Sequence, residues 1–304
     1  MKSSQSADAP KLALTAAAQA GFRSRLARML GGQRPDARTR FEAGCVAVQH
    51  HQPFVQGKAL IAMFQNLAWE ETIFHCPCWQ LHLGLAPQDT TGIQFVTCAI
   101  HQRGIIWTRV ASEHAVAIGA LCCAGFEPIL EMINLDRPLT QRRLSPPPTK
   151  IEIRQARKRD ADAVAEIARR MFSKDRFHAD PRIAPRFADQ AHQEWARNSV
   201  LGKVADQTLV AVDADRIAGF HALKWLQTPR GRVGLTVLIG IAEAYRGRGV
   251  GKALLGAGLL TLQEGGAKQA WVRTEAENST ATRLYESFGF RPQTQFWYLR
   301  KFNL

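Results

Sequence analysis

Residues 245–252 read Tyr-Arg-Gly-Arg-Gly-Val-Gly-Lys and run directly into the apolar stretch Ala253–Leu255. Glycines allow a backbone to approach a ligand closely, and successive N–H groups at a helix N-terminus point at anions. With Arg246, Arg248 and Lys252 as countercharge, Gly247, Gly249, Val250 and Gly251 make a candidate cradle for a pyrophosphate. A P-loop is excluded, because its first glycine position holds Arg246 and its hydroxyl position holds Ala253. A dinucleotide fingerprint has the correct element order, and Glu275 stands where a ribose-binding acid would. Its glycine spacing, however, is met from neither Gly247 nor Gly249. A glycine-rich helix start with solvated arginines is the plain alternative.

The surrounding pattern places this loop between a strand and a helix. "IEIRQA" from 151 alternates as a strand, "RDADAVAEIARRMF" has helical spacing with Asp160 as its cap, and "PRFADQAHQEWARNSV" reads as a second helix. "QTLVAVD" and "RIAGFHALKW" form a hairpin, and "RVGLTVLIGI" is a third strand leading into the glycines. Residues 250–264 form a helix stopped by Gly265-Gly266, "QAWVRTE" is a strand, Asn278 caps a helix running to Phe288, and "RPQTQFWYLRKF" closes as a strand. The order βααβββαβαβ, with a meander before the loop, suits a mixed, mostly antiparallel sheet in an α/β domain.

The chain has 304 residues, 46% of them apolar, enough for one large or two ordinary domains. Lys and Arg number 40 against 26 Asp and Glu, a formal charge of +14, which favours anionic partners without choosing among them. No groove-reading motif points to nucleic acid. No run of residues reaches the roughly 20 apolar positions of a membrane span. The alanine-rich N-terminus resembles a targeting signal only faintly and reads as an amphipathic or frayed extension over 1–40. All six cysteines fall by position 123, in no disulfide or chelate spacing, and read as free thiols of a cytoplasmic protein without a metal. Three consecutive prolines mark a linker at 139–150, dividing a smaller domain at 41–138 from one at 151–304.

Arg246-x-x-Gly249-x-Gly251, followed one strand later by Asn278-x-x-Ala281-x-x-Leu284-Tyr285-Glu286-x-x-Gly289-Phe290, resembles the Gcn5-related N-acetyltransferase (GNAT) superfamily over residues 151–304. The resemblance implies a GNAT fold and acetyl-coenzyme A as the acyl donor, with its pyrophosphate on the 246–251 loop. It also implies pantetheine against the backbone of Gly240, Ile241 and Ala242, between splayed strands, with Asn278 and Tyr285 facing the thioester. "MFSKDRFHADPRI…EWARNSV" and "LAWEETIFHCPCWQLHL" (67–83) are similar to the dTDP-fucosamine acetyltransferase-like family, which joins a truncated GNAT-like domain to a catalytic one. Residues 104–138 fit that first domain, reading as strand, helix, Gly-Phe turn and strand. The family hallmark departs here, since Ile73 and His75 replace Phe and Gly.

Amide formation from a thioester needs a neutral amine and a proton for the departing thiolate. A phenol ionises at about 10 against about 8.5 for a thiol, so Tyr285 can supply that proton without ionising first. Asn278 and Tyr285 are seven residues apart, two helical turns, and so share one face. For the acceptor side, Arg176, His178 and Asp180 lie in the loop before the second helix, His221 on a neighbouring strand and Glu243 just after the third. Any of these side chains is as easily structural. The expectation is an acetyltransferase acting on a primary amine of a small molecule, with a nucleotide-linked amino sugar as one substrate class. Transfer to a peptide amine, a non-catalytic acyl-coenzyme A module and a homodimer all stay open.

Overall fold

The computed structural model describes residues 51–56, 59–83, 93–94, 97–98, 100–139, 151–229 and 231–303. The expected extension at 1–40 and residues 140–150 of the expected linker lie outside these. The first half supplies β1 (His51–Gln56), β2 (Ala59–Asn66), α1 (Ala68–Phe74), β3 (Cys78–Leu83), β4 (Gly104–Ala111), α2 (Ala115–Cys123) and β5 (Glu127–Pro138). The second supplies β6 (Glu152–Gln155), α3 (Ala161–Met171), α4 (Pro185–Val200), β7 (Gln207–Asp213), β8 (Arg216–Thr228), β9 (Gly231–Ile241), α5 (Val250–Glu264), β10 (Gln269–Glu275), α6 (Ser279–Ser287) and β11 (Arg291–Asn303). The second-half order is the βααβββαβαβ expected from hydrophobic periodicity. Asp160 departs from its expected capping role: its carboxylate accepts from Arg154 and from the Arg157 N–H, not from the amides of α3.

All eleven strands form one sheet in the order β1-β2-β3-β4-β11-β5-β10-β9-β8-β7-β6. Among the described residues, only β3/β4 and β10/β9 pair in parallel. The two halves exchange strands at the centre: β11 lies between β4 and β5, and β5 lies between β11 and β10. Burial follows the exchange. Leu299 of β11 belongs to the first half's core with Leu81, Ile106, Leu121 and Phe126. Ile133 and Leu135 of β5 belong to the second half's core with Leu254, Leu259, Val272 and Tyr285. Each half thus completes its apolar core with a strand of the other.

Helices cover both faces. α2, α5 and α6 pack on one, while α1, α3, α4 and the 172–184 loop lie on the other, around Trp107, Phe177 and Ala188. On that second face a buried ion pair links loop and sheet: Arg300 donates to Asp180 at 2.6 and 2.7 Å and to Glu127 of β5 at 3.0 and 3.3 Å.

Candidate active site

The parallel pair β9/β10 is joined at Val233–Leu235 and Gln269–Trp271, so among the described residues the C-terminal part of β9 has no strand paired on its β10 side. The Ile241 N–H faces that opening and donates to the Met171 sulfur at 3.1 Å, a weak acceptor. Gly240 admits close packing: a Cβ there would come within 2.6 Å of the Phe220 ring. Ala242 bonds back to Ala218 and turns the chain through a single 3-10 turn, Glu243–Tyr245, where Glu243 is exposed.

The glycine loop follows. Gly247 and Gly249 have φ of +74° and +79°, values that L side chains rarely adopt, and the space beside both is open. Gly249 caps α5 without any side-chain acceptor for the helix amides. The first-turn N–H groups at 250–252 therefore point outward, flanked by exposed Arg246, Arg248 and Lys252. Val250 is buried and anchors the turn, while Gly251 sits against Ile241. Free amides, a helix dipole and three cations around open space suit a pyrophosphate.

On the sheet face below, Asn278 is committed at both ends of its amide. Its oxygen accepts from the Ala281 N–H at 3.1 Å, and its nitrogen donates to Glu275 at 2.9 Å. Tyr285, two turns along α6, is buried, edge-on to Phe290 at 5.7 Å. Burial, reinforced by the Glu275 carboxylate, raises its phenol pKa, so the proton stays on through neutral pH.

The residues expected on the acceptor side separate. Asp180 is held by Arg300, and its carboxylate also accepts from the Arg182 N–H, leaving it fully buried in a structural ion pair. His221 is likewise internal: its two nitrogens face the Leu254 carbonyl and the Thr236 hydroxyl, both at 3.1 Å. Burial pushes it down to about 4, a neutral core histidine packed against the α5 backbone at Gly258. Neither offers a surface that a substrate could touch, because every polar atom is already engaged. His178 bridges Asp175 and Asp189, and although burial opposes the charge, these carboxylates raise its pKa. Arg176 pairs with Glu70 of α1 and keeps partial exposure.

Asp175, His178 and His192 place ligand atoms within 4.8 Å of one another. Both His178 nitrogens are taken by carboxylates, and the His192 Nδ1 faces the Ala188 carbonyl at 3.2 Å and lies 3.7 Å from the Asp175 carboxylate, so the imidazole nitrogens that could ligate an ion are engaged within the protein. His192 stacks on Phe172 at 4.5 Å, and burial lowers its pKa. His192 is not among the residues expected from sequence, although it lies four residues after Ala188 on an apolar helix face. Arg109, Arg273 and Tyr298 carry no local signal, because they gather only when β4, β10 and β11 are brought together.

A splayed parallel strand pair, a glycine loop at a helix N-terminus and a buried tyrosine on the next helix make a fold of the GNAT type. Residues 161–290 match the Acetyltransferase (GNAT) family. Among curated relatives, mycothiol acetyltransferase of Corynebacterium aurimucosum is 44% identical over 80 residues, covering 26% of each chain. Spore coat polysaccharide biosynthesis protein SpsD of Bacillus subtilis is 25% identical over 139 residues, 46% of each. The matches thus span about a quarter to a half of those proteins. Among solved structures, a tandem GNAT protein from the clavulanic acid biosynthesis pathway aligns over 94% of this chain and 96% of its own, with a TM-score of 0.56 and 12% identity. No helix among the described residues is long and apolar enough to cross a membrane.

Proposed function

We propose that the chain is an acetyl-coenzyme A-dependent N-acetyltransferase acting on a primary amine of a small molecule, with an amino sugar, nucleotide-linked or otherwise, as its substrate class. The observation that carries this reading is the coincidence of the β9/β10 opening with the glycine loop before α5. Residues 151–304 are read as the catalytic half and residues 41–138 as a truncated GNAT-like half. In this reading Arg246, Arg248, Lys252 and the amides of 247–252 hold the pyrophosphate. Gly240, Ile241 and Ala242 line the opening with backbone, and Ile241 exchanges its weak bond to Met171 for a better acceptor. Bound acetyl-coenzyme A supplies an activated acyl group and a thiol leaving group. Tyr285 keeps its proton available on that side, while Asn278 positions α6 by capping it. Asp180 and His221 are assigned to packing, and Glu243, Arg176 and His178 to the rim of the acceptor side.

The amino-sugar class is supported by a relative whose name places it in polysaccharide biosynthesis. Free Cys76, Cys78, Cys98, Cys122 and Cys123 are consistent with action in a reducing cytoplasm. The test is a panel of amines offered with acetyl-coenzyme A while free thiol is followed. Amine-dependent thiol release with an acetylated product is expected. Coenzyme A binding without turnover on any small amine, but turnover on peptides, would replace this acceptor class.

A further inference from the structure

Four side chains meet on the acceptor face of the sheet where the strands of the two halves interleave. Tyr298 of β11 is the register partner of Arg109 on β4. The Arg176 guanidinium lies 5.1 Å from the Tyr298 ring and 4.9 Å from Trp107. Arg273 of β10 lies 4.8 Å over Phe296, whose ring is 5.4 Å from Tyr298, and is held by Asn134 of β5 at 2.9 Å. Arg176 is paired with Glu70. Among the described residues, no carboxylate forms an ion pair with Arg109 or Arg273. Glu70 is, among those residues, the one carboxylate ion-paired with these three guanidiniums, and Asp175, which also acts on Arg176, is bound to His178, so the cluster keeps an excess of positive charge.

The cluster is only partly buried. Arg273 retains exposure. Even so, loss of surrounding water and repulsion from Arg109 and Arg176 lower its pKa. Burial opposes ionisation of Tyr298, but Arg109, Arg176 and Arg273 overcome it and bring the phenol down to about 8. At neutral pH the phenol is still mostly protonated and leaves the excess charge in place. Like charges held together in a water-poor site repel unless an anion joins them. Guanidinium forks match phosphate oxygens in pairs.

We propose that Arg109, Arg176 and Arg273, gathered around Tyr298, form an anion subsite that holds a phosphate group carried by the acceptor. The subsite deepens the acyltransfer reading and rests on it for the word acceptor. It needs strands from both halves, which gives the first half a direct part in substrate binding. A doubly charged phosphate suits the excess positive charge, and the buried rings of Trp107 and Phe296 pack behind Arg176 and Arg273.

The experiment uses the full chain saturated with coenzyme A, so that the glycine loop is occupied, and titrates inorganic phosphate by calorimetry. Phosphate should bind, and Arg109→Gln or Arg273→Gln should weaken it by about tenfold or more in Kd. A second readout is the ultraviolet absorbance of ionised tyrosine, assigned by its loss in Tyr298→Phe. Phosphate should move that ionisation to higher pH, because an added anion opposes a phenolate. Failure of phosphate to bind, equal binding by the Gln variants, or acetate binding as well as phosphate would overturn the proposal. Should coenzyme A not bind, the acyltransfer reading falls separately. The same phosphate titration in an Arg246→Ala/Arg248→Ala background then still decides the subsite.

Discussion

Helix α2 ends Leu121-Cys122-Cys123-Ala124-Gly125-Phe126, and α6 ends Tyr285-Glu286-Ser287-Phe288-Gly289-Phe290. The two turns share their bonds. The Phe126 N–H donates to the Leu121 carbonyl at 3.0 Å, and the Phe290 N–H to that of Tyr285 at 3.1 Å; Gly125 and Gly289 have φ of +86° and +79°. Both phenylalanines are buried, and the N-caps His114 and Asn278 lie seven residues before Leu121 and Tyr285 respectively. The residues that could do chemistry differ. Leu121 stands where α6 has Tyr285, and His114 caps without a side-chain bond where Asn278 bonds Ala281. One supersecondary unit is thus used twice, and backbone geometry survives where the phenol and the cap do not. The shared parts are those that the chain needs to turn; the parts that differ are those that a reaction would need.

The largest effect should come from the phenol. Tyr285→Phe preserves ring and packing, so turnover should fall at least tenfold within the roughly 10²–10⁴ range of general acid catalysis, with coenzyme A affinity nearly unchanged. Leu121→Met, the counterpart change, should leave turnover intact and cost under about 1.5 kcal/mol of stability. Equal losses in the two variants would remove the distinction between the halves.

Next is the glycine loop. Gly249→Glu and Gly125→Glu both force a side chain into positive φ and should each cost about 1 kcal/mol or more in folding. Only Gly249→Glu should weaken coenzyme A, by about tenfold or more in calorimetry, through like charge at a helix N-terminus. Unchanged affinity in a folded variant would move the pyrophosphate elsewhere.

Acid should separate the cores. His221 is pushed down to about 4 in the fold against about 6.5 unfolded, so between these values the unfolded chain binds the extra proton. Stability from the neutral imidazole is complete above about pH 6.5 and lost as pH falls towards 4, by up to about 1.4 kcal/mol per unit. Hydrogen exchange around α5, once the intrinsic slowing of amide exchange in acid is divided out, should therefore accelerate on going from neutral pH to pH 5 more than around α2, whose core cluster is apolar. An equal acceleration on both sides would show that His221 is not the cause.

The smallest contrast lies in the caps. Asn278→Ala should cost about 1 kcal/mol in thermal or denaturant unfolding, whereas His114→Ala should change it by about half of that or less.

The element order of the second half was legible because each element declares itself locally: alternation in 269–275, helical spacing in 161–171, Gly265-Gly266 as a stop. The glycine loop was legible for the same reason, since positive φ and free amides belong to consecutive residues. The acceptor side was not. Asp180 and His221 looked available in sequence, but their partners Arg300 and Leu254 lie 120 and 33 residues away. Nothing local reports that a polar side chain is already satisfied.

By itself, then, the sequence determined the periodic elements, the turn geometry at Gly249 and Gly289, and the seven-residue spacing from Asn278 to Tyr285. Tertiary structure alone decided that β5 and β11 exchange places, that His221 and Asp180 are interior, and that Arg109, Arg176 and Arg273 converge on Tyr298. The physical reason is range. Backbone preference and side-chain period act over a few residues, while strand exchange and charge clustering depend on contacts between segments more than a hundred residues apart.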